Sequence, residues 1–203
     1  SNASILKLKG KSTEVVDLKG KTVIPGLIDN HAHFIRAPEH MELRLDGVLY
    51  RKEAVRLIKQ AVAKAKSGDW VITIGGWSRT QFLDDQRGFD LEELDQISKD
   101  IPIVIQEVYL RSFLNSAAIT QLNLNENTPD PRGGKILKTN TGKVSGIVEG
   151  AGGVAFIAGK LPLPNTQDWQ ENVKTYAKYL NQLGITAWYD AGGRAVSYTH
   201  LRA

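Results

Sequence analysis

The chain has 203 residues, 41% of them hydrophobic and 24% charged, with 26 Lys and Arg against 22 Asp and Glu for a formal net charge of +4. It has no cysteine, which excludes disulfides and thiolate metal sites, and no apolar run approaches the roughly 20 residues that a membrane-spanning helix needs. The densest basic stretch, Lys7, Lys9, Lys11, Lys19 and Lys21, alternates with Leu, Gly and Val, so it reads as the solvated face of strands rather than as a nucleic-acid patch.

Ser1-Asn2-Ala3 looks like the scar of a cleaved expression tag, so the native start and any leader cannot be read; a cytoplasmic location is only the default. Residues 4 to 24 read as short strands punctuated by Gly10 and Gly20. Val23 to Phe34 is a buried-type run ending in polar residues. Residues 50 to 66 carry Val55, Ile58, Val62 and Ala65 at helical spacing, with Gly68 as the C-terminal stop. WVITIGGW is a strand entering a Gly-Gly turn. Asp90 is the expected N-cap of a second helix, with Glu93 three residues on as in a capping box.

IPIVIQEVYL reads as one strand and Asn115 to Leu122 as a short helix. TPDPRGG is a loop. KILKTNTGKVSGIVE is a hairpin around Asn140-Thr141-Gly142, and KLPLPN an extended linker. Residues 166 to 183 form the clearest helix, with Thr166 as its cap, Trp169, Val173, Tyr176, Leu180 and Leu183 on one face, and Gly184 as its end. ITAWYDAGG is a strand running into a glycine turn.

The stretch PGLIDNHAHF, residues 25 to 34, carries the clearest chemistry. In a strand, residues two apart share a side, so Asp29, His31 and His33 fall on one face. Two imidazoles side by side can chelate one divalent cation if other elements complete the shell. Delivery of ligands from the end of a strand is also how barrel enzymes build their sites.

PGLIDNHAHF resembles the metal-binding signature of the amidohydrolase superfamily. GGWSRTQF, LEELDQIS, IPIVIQEVYLRSFLNSAAI, TPDPRGGKI, Gly146-Ile147-Val148-Glu149 and LGITAWYDAGG follow in the order of its YtcJ-like branch, the amidohydrolase 3 family. The resemblance implies an α/β fold: a metal-dependent hydrolase TIM barrel with an α+β insertion domain and a remnant of a β-sandwich. On that scheme residues 4–24 are the sandwich remnant and 25–44 the first barrel strand with the metal motif. Residues 45–160 are the insertion domain, and 161–194 a barrel helix with its following strand. The span between the first strand and ITAWYDAGG is far too long for an ordinary βα unit, which agrees with an inserted domain.

The resemblance also implies chemistry. A bound divalent metal, zinc foremost and one or two ions in the parent enzyme, would activate water to cleave an amide or other C–N bond in a small-molecule substrate. His31 and His33 would be metal ligands. Glu149 is a further candidate ligand, with an exposed turn glutamate as the equal alternative. Asp29 belongs to the motif as a supporting group. Trp77, Gln81 and Asp190 are substrate-pocket candidates. Ordinary packing is the favoured role for Phe82 and slightly so for Trp77. His40 and His200 match no motif.

A TIM barrel needs about 250 residues by itself, and the later histidine ligands and the catalytic aspartate have no candidates here. The chain therefore reads as the front of a longer enzyme, with VSYTHLRA, within residues 195–203, as a non-native tail. Such a piece is expected to hold metal weakly, to lack catalysis of its own, and to self-associate through strands meant to be covered. No nucleic acid or membrane is expected as a partner. The competing reading is a non-catalytic binding or interaction module built on the insertion domain.

Overall fold

The computed structural model describes residues 2–34, 43–163 and 165–191. Most of the core belongs to one five-stranded sheet, and alternation along its strands explains its two faces. In β3 (Ile103–Glu107) every residue is buried. Ile103 and Ile105 enter one apolar cluster, and Val104 between them enters the other. A strand covered on both sides must be apolar on both sides, which is what the run IPIVI provides.

The sheet runs β2–β3–β4–β6–β5, with β2 (Val71–Ile74), β4 (Arg111–Leu114), β5 (Lys135–Lys138) and β6 (Val144–Glu149). β2 and β3 are parallel; the remaining neighbours are antiparallel. One face packs against α2 (Arg51–Lys64) and α3 (Leu91–Ile97) through Ala54, Ile58 and Leu94, joined by Trp77, Phe82, Phe89 and Phe113. The other face packs against α4 (Ser116–Gln121) and α5 (Ala151–Ala158) through Ala118 and Ile157. Leu43 donates its N–H to the Ile72 carbonyl at 3.0 Å, so the chain joins this sheet along the edge of β2.

A second sheet has two strands, β1 (Leu27–Ala32) and β7 (Ile185–Asp190), paired in parallel with Leu27 opposite Ile185 and Asp29 opposite Trp188. Parallel neighbours need a crossover connection. The helix α6 (Thr166–Gln182) leads into β7, and the whole five-stranded unit lies in sequence between the partners. Gly26 is required at the start of the pair, because a Cβ there would stand 2.0 Å from Thr186 Oγ1.

Several expectations are corrected. Residues 4–24 are not strands: α1 (Asn2–Leu6) opens the chain, and residues 7–26 form turns and irregular backbone, exposed throughout. Strands need partners for their backbone groups, and among the described residues none pairs with this stretch. The turns expected at Gly10 and Gly20 are present, with the Thr13 N–H donating to the Gly10 carbonyl. Lys19 and Gly20 have φ of 49° and 79°, and Lys21 donates to the Leu18 carbonyl, as in the turn that suits two right-twisted strands.

IPIVIQEVYL is not one strand. A turn at Val108–Leu110, with Val108 at φ 34°, folds the chain back into β4. The helix α5 was not expected, because its sequence AGGVAFIA places two glycines in the first turn. α6 is capped by Asn165, whose side chain accepts from the Asp168 N–H, rather than by Thr166. α2 closes at Ala65, before Gly68. Leu27 and Ile28, expected to be buried, are 50% and 74% exposed.

Candidate functional site

β1 turns irregular between Asp29 and Ala32, where its register to β7 shifts. At this bend the Asp29 carboxylate accepts the His31 N–H at 3.0 Å. The aspartate therefore shapes the backbone that presents His31. His31 and His33 lie on one side with ring centroids 5.5 Å apart and planes at 65°, both exposed. Neutral imidazoles so placed suit a borderline divalent cation, and the pair fits as two donors of such a centre. Among the described residues no group of three or more His, Asp or Glu forms a complete cage.

An aromatic cluster follows directly after the pair. Phe34 stacks on Trp188 of β7 with centroids 4.1 Å apart and planes at 22°, and Tyr176 of α6 leans on Phe34 at 5.5 Å. Burial pushes the Tyr176 phenol above its ordinary range. The Arg44 charge opposes this, while Asp29, Tyr179 and Asp190 add to it. Asp190 is the last residue of β7, in register with Ala32, and the following N–H, of Ala191, donates to the Ala32 carbonyl at 2.8 Å. Of the substrate-pocket candidates, Asp190 is thus the one on the strand beside the histidines.

Trp77, Gln81 and Glu149 belong to the five-stranded unit. Trp77 is 2% exposed; its Nε1 donates to the Gln106 carbonyl at 2.8 Å and its ring packs on Phe82 and Phe89. Phe82 is buried in the same cluster. Gln81 donates through Nε2 to the carbonyls of Leu45 and Val48, both at 2.8 Å, and accepts from the Ser78 N–H. These contacts are those of core and loop-fixing groups. Glu149 is the last residue of β6 and not a turn residue. Its Oε1 lies 3.5 Å from Arg111 Nη2. His40 and His200, the Gly192-Gly193 turn and the proposed tail lie outside the described residues.

A feature absent from the sequence reading surrounds Glu149. Across one end of the sheet, Glu107 stands opposite Arg111, Arg111 opposite Glu149, and Glu149 opposite Lys135. Charges therefore alternate over four adjacent strands, the favourable arrangement for directly opposed side chains. Glu107 is fully buried. Its Oε1 accepts from Ser78 Oγ at 3.1 Å and from the Arg79 N–H at 3.0 Å, and its Oε2 lies 3.6 Å from Arg111 Nε. The available signal was an acid closing an apolar strand, IVIQE, followed four residues later by an arginine.

Comparison with known proteins completes this picture. The model of the Amidohydrolase family matches residues 14–200. Protein LONG AFTER FAR-RED 3 of Arabidopsis thaliana is 30% identical over 197 residues, covering 95% of this chain and 33% of that protein. Putative amidohydrolase YtcJ of Bacillus subtilis is 28% identical over 144 residues, 70% of this chain and 27% of its own. N-substituted formamide deformylase of Arthrobacter pascens is 28% identical over 186 residues, 88% and 34% respectively. The chain thus spans about a third of the length of these relatives. Among solved structures, an uncharacterized metal-dependent hydrolase from Pyrococcus furiosus superposes with a TM-score of 0.56 at 23% identity, over 92% of this chain and 35% of that one.

Proposed function

The chain belongs to the amidohydrolase family, in its YtcJ-like branch, and on that premise we propose that it is the metal-binding front of a hydrolase acting on amide or other C–N bonds. One observation carries the reading: His31 and His33 stand side by side, exposed, at the end of a parallel strand. In the proposed enzyme β1 and β7 are neighbouring strands of a TIM barrel, and the five-stranded unit is a domain inserted between them. Parallel pairing with a helix leading into the second strand supports this.

A divalent cation, zinc by preference, would supply an activated water there. The remaining steps fall to this chain's own groups. Asp29 holds the His31 backbone, His31 and His33 would offer their ring nitrogens to the cation, and Asp190, at the end of β7 in register with Ala32, would contact substrate. Glu149 is proposed as a further ligand. As a ligand it would exchange its Arg111 partner, 3.5 Å away, for the metal.

The test is hydrolysis of a panel of N-formyl and N-acyl amines by the protein expressed from its whole natural reading frame. Amine release that stops with a chelator and is lost in His31→Gln and His33→Gln is the expected result. Release that ignores the chelator, or that survives both substitutions, would remove the proposal. The 203-residue chain alone is expected to release none.

A further inference from the structure

We propose that Trp188 is a positioning residue for the histidine pair, acting through Phe34. The inference rests on the reading of His31 and His33 as metal donors and adds to it the means by which the second donor is aimed.

The two histidines are not equally supported by the strand. His31 lies inside β1, with its backbone N–H held by Asp29. His33 lies one residue past the end of β1. The chain beyond Ala32 therefore needs another anchor, and the neighbouring side chain supplies it. Phe34 is stacked on Trp188, nearly parallel at 4.1 Å, and Tyr176 closes on it from α6. Phe34 is a turn residue directly after His33, whose ring stands 5.5 Å from that of His31. Fixing the Phe34 ring against β7 thus holds the backbone from which His33 is presented beside His31.

Trp188 is itself well placed for this task. It sits within β7 and in register with Asp29. One rung of the sheet therefore carries both supports: Asp29 toward His31, and Trp188 toward Phe34 and so His33. Aromatic pairs of this geometry contribute specific orientation beyond the area they bury. Two-donor chelation depends on both rings being held. Releasing one leaves a single imidazole, with a loss comparable to that seen when groups supporting a metal ligand are removed, on the order of tenfold or more.

The experiment uses Cu2+ alone as the probe, since imidazole binds it well. Affinity is read by titration of the chain, and the number of bound imidazoles by the nitrogen hyperfine pattern in electron paramagnetic resonance. Trp188→Ala is expected to weaken Cu2+ binding about tenfold and to change the pattern from two imidazoles to one. Trp188→Phe, which keeps a stacking ring, is expected to retain both. Phe34→Leu, which leaves β7 untouched, is expected to behave like Trp188→Ala and so separates aiming from loss of the strand. Unchanged affinity and a two-imidazole pattern in both Trp188→Ala and Phe34→Leu, while His33→Gln loses the site, would overturn the inference and leave the donor reading standing. Cu2+ binding that survives His33→Gln unaltered would overturn the donor reading and the inference with it.

Discussion

Arg51 is a charged residue that the fold buries. It opens α2 and is only 5% exposed. Its guanidinium pairs with both oxygens of Glu93, donates to the Gly88 carbonyl, and lies 5.0 Å over the Phe89 ring. Arg51→Met would leave Glu93 and the Gly88 carbonyl without this partner, and breaking a buried pair from one side is costly. A loss of about 3 kcal/mol in urea unfolding is expected; a loss near zero would mean that Glu93 finds the neighbouring Arg87, 3.6 Å away. Asp90 as the cap of α3 was legible, because capping is local: its side chain accepts from the Glu93 N–H. The capping-box use of Glu93 was the wrong extension. Its carboxylate goes 42 residues back to Arg51, and no local pattern encodes that choice. The nearness of the two histidine rings was legible too, since they are only two residues apart, although β1 ends at Ala32 and strand alternation does not itself place His33. Phe34 as a stacked anchor was not, since Trp188 comes from the other end of the chain.

Among the elements, α5 is the instructive failure. Two glycines at its start argue against a helix, because glycine is about 1 kcal/mol less favourable than alanine in a helix interior. The structure shows why glycine is there. A Cβ on Gly152 would stand 1.9 Å from the Arg132 carbonyl, and one on Gly134 would stand 2.1 Å from the Gly153 nitrogen. The loop before β5 and the first turn of α5 meet backbone to backbone, with the Gly152 N–H donating to the Gly133 carbonyl at 3.0 Å. Two effects then oppose each other in Gly152→Ala. Propensity favours the variant by about 1 kcal/mol, while a clash with backbone, which cannot rotate away, costs roughly 1–3 kcal/mol or more. The clash wins, and the variant is expected to melt lower; an equal or higher melting temperature would show that the contact relaxes freely. β4 escaped detection by a similar route. Its four residues follow β3 after only three turn residues, and one continuous apolar reading covered both.

At the scale of the whole molecule, the apolar residues are unevenly placed. Both buried clusters belong almost wholly to the five-stranded unit. In the two-stranded sheet Leu27, Ile28 and Tyr189 are half or more exposed. A parallel sheet with a bare apolar face and open edges is a pairing surface. We therefore expect the chain to self-associate. Sedimentation should show a weight-average mass that rises with concentration and falls back in Ile28→Lys; a single monomer species at all concentrations would dismiss this.

The pairing of β1 with β7 has one more consequence, in the order of events rather than in the final contacts. It joins segments separated by about 150 residues, and closing a flexible loop of that length costs roughly 4–5 kcal/mol in chain entropy. The β3–β4 hairpin closes over three residues and meets almost none of that cost. Contacts of such long range form late and, with only two strands to hold them, open first. Amides of Ile28–Ala32 should accordingly exchange with solvent long before those of Ile103–Glu107; equal protection would show one cooperative unit. The strand that carries His31 and leads directly into His33 would then be the last part of the chain to assemble, so metal affinity and local opening would be read from the same few residues.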